Sequence, residues 1–157
     1  IGNGVTKTIY IKGNLIISSN ITYASNWTTP SDIPSLTFVV AGNIYINPSV
    51  TQLYGNYFST GTVYTCTDST TGAGIYATGA ACGMGNSGSS TQLQFYGSLM
   101  AKQIAFERTY GAVNTNGPVA NSPAEVYNYS PAEWLGGYGT GNLGNNYGSI
   151  TNLPPLL

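Results

Sequence analysis

The sequence has few charged residues and no histidine. Charged residues make up 6% of the 157 residues, with four Lys and Arg and five Asp and Glu, whereas about 25% is usual. Four cations do not supply the basic stripe of a nucleic-acid-binding surface. The missing histidine excludes a histidine-based catalytic triad or metal centre. With so few titratable groups for acid–base chemistry, the sequence predicts no enzyme, no bound metal and no cofactor.

Apolar and small residues are abundant instead. The chain is 41% hydrophobic and 12% aromatic, with 21 Gly and 13 Tyr. This apolar content is sufficient for one core, so the low charge does not indicate disorder. We expect a single β-rich domain over residues 1–157. A net charge of -1 produces little repulsion between copies, which favours self-association.

The chain's start and its cysteines predict an exported protein. It begins with Ile1 rather than Met, which fits removal of a signal peptide, so we expect a secreted, extracellular or cell-surface location. No window has the roughly 18–20 apolar residues of a membrane span. Cys66 and Cys82 flank a stretch rich in Thr, Ser, Gly and Ala, which favours a disulfide over two free thiols or an intermolecular bridge. N-x-S/T motifs make Asn20, Asn26 and Asn128 candidate glycosylation sites, although chance matches are expected in a sequence so rich in Asn, Ser and Thr.

Four segments of the chain align without gaps around a glycine. The apolar positions two before, two after and four after each glycine alternate as in a half-buried strand. Asn or Ser follows the glycine, and Gly-Asn suits a corner where the chain bends, with asparagines stacked in ladders. The segments centre on Gly13, Gly42, Gly55 and Gly97, and they predict the core residues Ile11, Leu15, Ile17, Val40, Ile44, Ile46, Leu53, Tyr57, Ser59, Phe95, Leu99 and Ala101.

This repeat predicts an all-β fold, namely an irregular parallel β-helix (β-solenoid) with Gly- and Pro-rich loops. The uneven spacing of the four glycines leaves an antiparallel β-sandwich as the alternative. Coil-forming strands are expected over residues 1–110, including a strand rather than a helix over 98–110. Residues 111–157 are expected to form an irregular capping or docking tail, with short helical turns beginning at Pro123 and Pro131.

Three stretches of the chain resemble a known group of proteins. They are GNIYINPSV at 42–50, GSLMAKQIAFERTYG at 97–111 and PAEVYNYSP at 123–131. Together they resemble a group of secreted or surface β-helical proteins of candidate phyla radiation bacteria, over residues 36–135. The resemblance implies an extracellular β-helical surface protein and no known reaction.

The expected function is that of a structural subunit of an extracellular filament, pilus-like appendage or surface layer. Open strand edges at the two ends of a β-solenoid would stack on further copies of the chain. The expected subunit contacts are Ile1, Gly2, Val5, Ile9, Leu153, Pro154, Pro155, Leu156 and Leu157. The alternative is a glycan-binding adhesin that uses Trp27, Trp134 and tyrosines. The expected partners are therefore copies of the chain itself or, in the alternative, surface glycans.

Overall fold

A computed structural model describes residues 1–67, 92–108 and 123–130, and these residues form β-structure with no α-helix. One turn of 3₁₀ helix spans Pro30–Asp32. The all-β prediction is confirmed for this part of the chain. Its strands are β1 (Thr6–Ile11), β2 (Leu15–Ile17), β3 (Ser35–Val40), β4 (Ile44–Ile46), β5 (Gln52–Tyr64), β6 (Leu93–Ala105) and β7 (Glu125–Asn128).

The seven strands form one curled sheet in which every strand pairing is parallel. An antiparallel sandwich, the alternative prediction, is therefore wrong for the described residues. Parallel neighbours require a connection that returns the chain to the starting edge of each strand. The chain here makes that return without an intervening α-helix in the described residues.

The sheet has two arms that meet at a bend. The first arm contains β1, β3, residues 52–59 of β5, residues 93–101 of β6, and β7. The second arm contains β2, β4, residues 62–64 of β5 and residues 103–105 of β6. We call each pass of the chain through the arms a unit. Units 1 to 5 are thus β1 with β2, β3 with β4, β5, β6 and β7, and each lies beside the next.

The strand register shows how far the chain travels between units. Thr6 pairs with Ser35, a step of 29 residues, and Thr37 pairs with Asn56, a step of 19. Gln52 pairs with Gln94 and Leu93 with Glu125, steps of 42 and 32. The predicted alignment of Gly42 with Gly55 is wrong, because the register places Gly61 opposite Gly42 instead.

Nearly all of this variation in length falls at one place in the unit. The links between arms within units 1 and 2 are short, residues 12–14 and 41–43, and β5 and β6 cross the bend without interruption. The links from the second arm to the next first arm are residues 18–34, 47–51, 65–92 and 106–124. The links of variable length therefore all lie at the same place in the unit, after the second arm.

The core lies inside the curl of the sheet. Its fully buried side chains include Val40, Ile44, Leu53, Tyr57 and Phe95. They belong to the predicted core positions, as do Ile17 and Ile46, whereas Ile11, Leu15, Leu99 and Ala101 are only partly buried against this cluster. The partly buried residues lie in units 1 and 4, so burial decreases toward the ends of the described sheet.

One local prediction was wrong and another was confirmed in part. The helical turn expected at Pro123 is instead the approach to β7, which begins at Glu125 and pairs in parallel with β6. The strand expected over 98–110 is confirmed up to Ala105. Most of the predicted tail, including the turn expected at Pro131, lies outside the described residues. No helix in the described ranges has the length and apolar character of a membrane span.

Candidate assembly interface

The bend between the two arms, the first corner, is built on a column of glycines. A Cβ added at Gly42 would lie 2.8 Å from the carbonyl oxygen of Gly13, and one added at Gly61 would lie 2.8 Å from that of Gly42. The backbones of successive units thus approach too closely for a side chain. This close approach explains why the first corner uses glycine in units 2 and 3.

Asparagine side chains connect the units at the same corner. The backbone N–H of Asn43 donates to Asn14 Oδ1 at 2.9 Å, and the N–H of Thr62 donates to Asn43 Oδ1 at 2.8 Å. Each amide oxygen thus satisfies a backbone donor of the following unit. Asn14 and Asn43 thus occupy successive units of one column, but these bonds join side chain to backbone rather than one asparagine side chain to the next. Asn56 belongs to a different column, where its Oδ1 lies 2.5 Å from the hydroxyl oxygen of Ser98.

Gly55 and Gly97 form a second column within the first arm. They pair in register and adopt φ values of 121° and 139°, a region that L side chains rarely occupy. A Cβ at Gly97 would collide with the backbone of Gly55. The sequence alignment merged this column with the corner column because both contain Gly followed by Asn or Ser.

The second corner, which follows the second arm, is held by the buried Arg108. Its Nε donates to the carbonyl of Thr65 at 2.8 Å, Nη1 to that of Val50 at 2.7 Å and Nη2 to that of Asn47 at 2.9 Å. These carbonyls belong to links that follow units 2 and 3, and Arg108 itself follows unit 4. Burial lowers the pKa of Arg108 to about 10, partly offset by Glu125 and Tyr127, so the guanidinium stays charged at neutral pH.

Glu125 extends this polar network to unit 5. Its Oε1 accepts hydrogen bonds from the Thr65 hydroxyl at 2.7 Å and from the Arg108 backbone N–H at 3.1 Å. Glu107 lies beside it, with both carboxylate oxygens shielded from solvent. Burial raises the pKa of Glu107; a hydrogen bond from the Cys66 backbone lowers it, and the nearby Glu125 raises it. The second corner thus joins four units through charged side chains.

Within residues 1–67, 92–108 and 123–130, the N-terminal end of the sheet is an open strand edge. β1 pairs with β3 on one side only, and its residues 6–10 are exposed. Ile9, Tyr10 and Ile16 are exposed apolar side chains at this end, with Tyr10 76% accessible. Of the predicted contact residues, Ile1, Gly2 and Ile9 are exposed and Val5 is half-buried. Val5 also takes part in the sheet, since its carbonyl accepts from Ser35 N–H at 2.9 Å.

The opposite end of the described sheet is also partly unpaired. β7 pairs with β6 only as far as Tyr96, and no described strand pairs with the outer edge of β6 beyond that residue. Met100 and Phe106 are 65% and 61% accessible there. Tyr127 and Tyr129 are also exposed at this end. The predicted contact residues Leu153, Pro154, Pro155, Leu156 and Leu157 lie outside the described residues.

Aromatic rings form columns across the units. Tyr54 and Tyr96 stack with their centroids 4.5 Å apart, and Tyr45 and Tyr64 stack at 5.3 Å. Trp27 packs against the core, with its indole N–H buried and without a hydrogen-bond partner. Trp134, the other tryptophan expected in a glycan site, lies outside the described residues. The stacked faces of these tyrosines therefore contact one another.

The predicted modification sites have different surroundings. The side chain of Asn20 is engaged, since its Oδ1 accepts from Thr51 N–H at 2.8 Å and its Nδ2 donates to Thr51 Oγ1 at 2.9 Å. Asn26 is exposed, and Asn128 ends β7.

Cys66 is fully buried in the second corner, and the described residues contain no free cysteine. Cys82 lies outside the described part of the chain, so the Cys66–Cys82 bridge stays a prediction. Three or more His, Cys, Asp or Glu side chains do not come together as a metal site anywhere in the described ranges.

Sequence reasoning missed Arg108 as the organiser of the second corner and Gly61 as a member of the first. A single arginine in a nearly uncharged sequence was the available signal for the former, because a buried cation needs several acceptors. Comparisons with protein-family models, characterised proteins and solved structures find no match to this chain.

Proposed function

We propose that this chain is a structural subunit of an extracellular filament, pilus-like appendage or surface layer that assembles by end-to-end pairing of its sheet. The observation that carries the proposal is an all-parallel sheet whose edges are unlike and, among the described residues, unpaired: β1 at one end and residues 97–105 of β6 at the other. An unpaired strand edge is a template for pairing with another chain. In this proposal the described sheet is part of a parallel β-solenoid.

The parallel strand order favours a head-to-tail contact. Joining the β6 edge of one copy to the β1 edge of the next continues the parallel ladder, whereas joining two β1 edges produces an antiparallel pair. A head-to-tail contact uses two different surfaces, so each added copy exposes a fresh edge. When the rotation between copies does not close a ring, the product is an open filament.

The burial of core residues that share a register position also supports the head-to-tail contact. Ile9, Phe38, Tyr57 and Leu99 occupy one register position in units 1 to 4. Phe38 and Tyr57 in the middle are 8% and 1% accessible, whereas Ile9 at the end is 38% accessible. A second copy would place Ile9 over Leu99 and bury both, which removes apolar surface from water.

The low charge of the central units also supports assembly. β3, β4 and β5 contain no charged residue, and the net charge of the chain is -1. Long-range repulsion between copies is correspondingly weak. The glycan-binding alternative has less support, because Trp27 packs against the core and the rings of Tyr54 and Tyr96 stack on each other.

A proline on the open edge of β1 tests the proposal. The carbonyls of Val5 and Ile11 accept from β3-side donors Ser35 and Ala41, and strand alternation therefore turns the backbone N–H of Thr8 outward. Thr8→Pro removes that outward donor without breaking a bond to β3. Negative-stain microscopy should show filaments for the unaltered chain and for Thr8→Val, and single particles for Thr8→Pro.

Two results would contradict the proposal. One is a folded, monodisperse unaltered chain at every concentration and salt tested. The other is a Thr8→Pro variant that polymerises as readily as Thr8→Val. Specific hits on a glycan array from a chain that stays monomeric would support the adhesin alternative instead.

A further inference from the structure

The three lysines of the chain lie at the two ends of the described sheet. Lys7 is on β1, Lys12 directly follows β1, and Lys102 is on the outer strand β6. All three are exposed. Edge lysines are a common means by which β-proteins limit edge-to-edge pairing. Their position suggests that the contact between copies is restrained by charge.

Two of these lysines occupy the same column of the first corner. Ile11, Val40, Ser59 and Ala101 share one register position, so the residues that follow them fill the next position. That position holds Lys12 in unit 1, Ala41 in unit 2 and Thr60 in unit 3. In unit 4 it holds Lys102, which lies opposite both Thr60 and Gly61 because the register shifts between Ser59 and Thr62. The column is therefore charged at its two ends and neutral in its interior.

We propose that the end-to-end contact places Lys12 of one copy beside Lys102 of the next, so that repulsion between the two ammonium groups controls assembly. This inference rests on the proposed function and specifies the register of its interface. It requires that the next copy continue the register already seen between units 1 and 4. The neighbouring copy's β1, from Lys7 onward, then pairs with β6 from Gly97 onward.

The distances across a parallel ladder make this repulsion effective. Neighbouring strands lie about 4.7–4.9 Å apart, and like charges directly opposite each other destabilise the pairing. Such repulsion is strong at low ionic strength and is largely screened at high salt. Assembly of the unaltered chain should therefore be favoured by salt.

Lys7 provides a matched comparison on the same edge. It shares its register position with Leu36, Gly55 and Gly97. The proposed contact therefore places Lys7 beside Gly97, which has no side chain. Reversing the charge of Lys7 changes the net charge of the protein as much as reversing Lys12, but it creates no ion pair across the interface.

Charge reversal of each lysine, alone and together, tests the register. The experiment measures the critical concentration for polymer formation by sedimentation in low salt and in 1 M salt. In low salt, Lys12→Glu and Lys102→Glu should each lower this concentration roughly fivefold, because each turns a repulsive pair into an attractive one. The double variant restores like charges and should return to the value of the unaltered chain. Lys7→Glu should give no decrease.

Each outcome separates the inference from the proposed function. Polymer from the unaltered chain, with Lys12→Glu and Lys102→Glu behaving like Lys7→Glu, overturns the lysine contact and leaves end-to-end assembly in place. Circular dichroism melting shows whether each variant is folded, and these exposed positions should tolerate the changes. Folded protein that forms no polymer in any variant at either salt concentration overturns both proposals.

Discussion

The two corners of the sheet provide hydrogen-bond partners for backbone groups in different ways. At the first corner, glycines allow successive units to approach closely, and the amide oxygens of Asn14 and Asn43 accept backbone N–H bonds of the following unit. At the second corner, the charged side chain of Arg108 donates to three backbone carbonyls of the links that follow units 2 and 3. Both corners satisfy buried or partly buried backbone groups, as folding requires.

The difference lies in how each solution is distributed along the chain. The first corner repeats a small neutral element in each unit, so the loss of one member affects two neighbouring units. The second corner concentrates several bonds on one residue, so its loss affects all the units that the residue joins. We therefore expect substitutions at the second corner to cost more than those at the first.

The largest effect is expected for Arg108→Met. It removes the charged donor from the carbonyls of Thr65, Val50 and Asn47, of which only Asn47 also accepts from the Val50 N–H among the described backbone bonds. A hydrogen bond to a charged group contributes about 1.5–3 kcal/mol. The free energy of unfolding, measured by denaturant titration, should fall by at least about 3 kcal/mol. Arg108→Lys should be intermediate, because an ammonium group cannot reproduce the planar fork. A Met variant as stable as the unaltered chain would contradict the assigned role.

A smaller loss is expected for Gly61→Ala at the first corner. The added Cβ lies 2.8 Å from the carbonyl oxygen of Gly42, and such overpacking typically costs about 1–3 kcal/mol. Gly13→Ala is the matched control, because no atom lies within 4 Å of a Cβ there. Thermal melting should show a clear decrease for Gly61→Ala and little change for Gly13→Ala. Equal effects would mean that close approach is not the reason for these glycines.

A still smaller loss of stability is expected for Asn43→Ala. Its Oδ1 accepts from Thr62 N–H at 2.8 Å in a partly buried position, and losing that acceptor should cost about 1 kcal/mol. Asn14→Ala removes the corresponding acceptor at an exposed position, where water replaces it. Denaturant titration of both variants measures the difference. A larger loss for Asn14→Ala than for Asn43→Ala would contradict this account of the asparagine column.

The smallest effect, and the only gain, is expected for Glu107→Gln. The pKa of Glu107 is raised by burial and by Glu125, so the folded state holds this proton more tightly than the unfolded chain does. The stability penalty of the ionised carboxylate is therefore absent below the unfolded-state pKa, grows as the pH rises from there, and is complete above the folded-state pKa. Glu107→Gln should raise the melting temperature at pH 7 by roughly 2 °C. At pH 3 the two proteins should melt alike, and a gain that persists there would contradict the charge explanation.

The sequence allowed the strand faces to be predicted but not the register between all units. Leu53, Tyr57 and Phe95 were placed on the buried face, because strand alternation is local and depends only on odd or even position. The alignment failed between units 2 and 3, where β5 passes the bend as one continuous strand. Gly61 there is followed by Thr rather than Asn, so the local signal of the corner was missing.

The hydrogen bonds of the second corner could not be predicted from local sequence patterns. Arg108 bonds to the carbonyl of Asn47, which lies 61 positions earlier in the chain. Backbone carbonyls are present at every residue, so no side-chain pattern marks the three that become acceptors. Only the register of the units brings them together. In the same way, the proposed pairing of Lys12 with Lys102 follows from the strand order and not from the sequence near either lysine.

The placement of the long links has a practical consequence for engineering. Since the links between units differ greatly in length while the strands keep their register, added sequence in such a link is accommodated without altering strand pairing. A peptide epitope grafted beside the exposed Asn26 would therefore recur once per molecule. If the copies join as proposed, the grafted peptides would form an evenly spaced row along the fibre, which makes the chain a candidate scaffold for multivalent display.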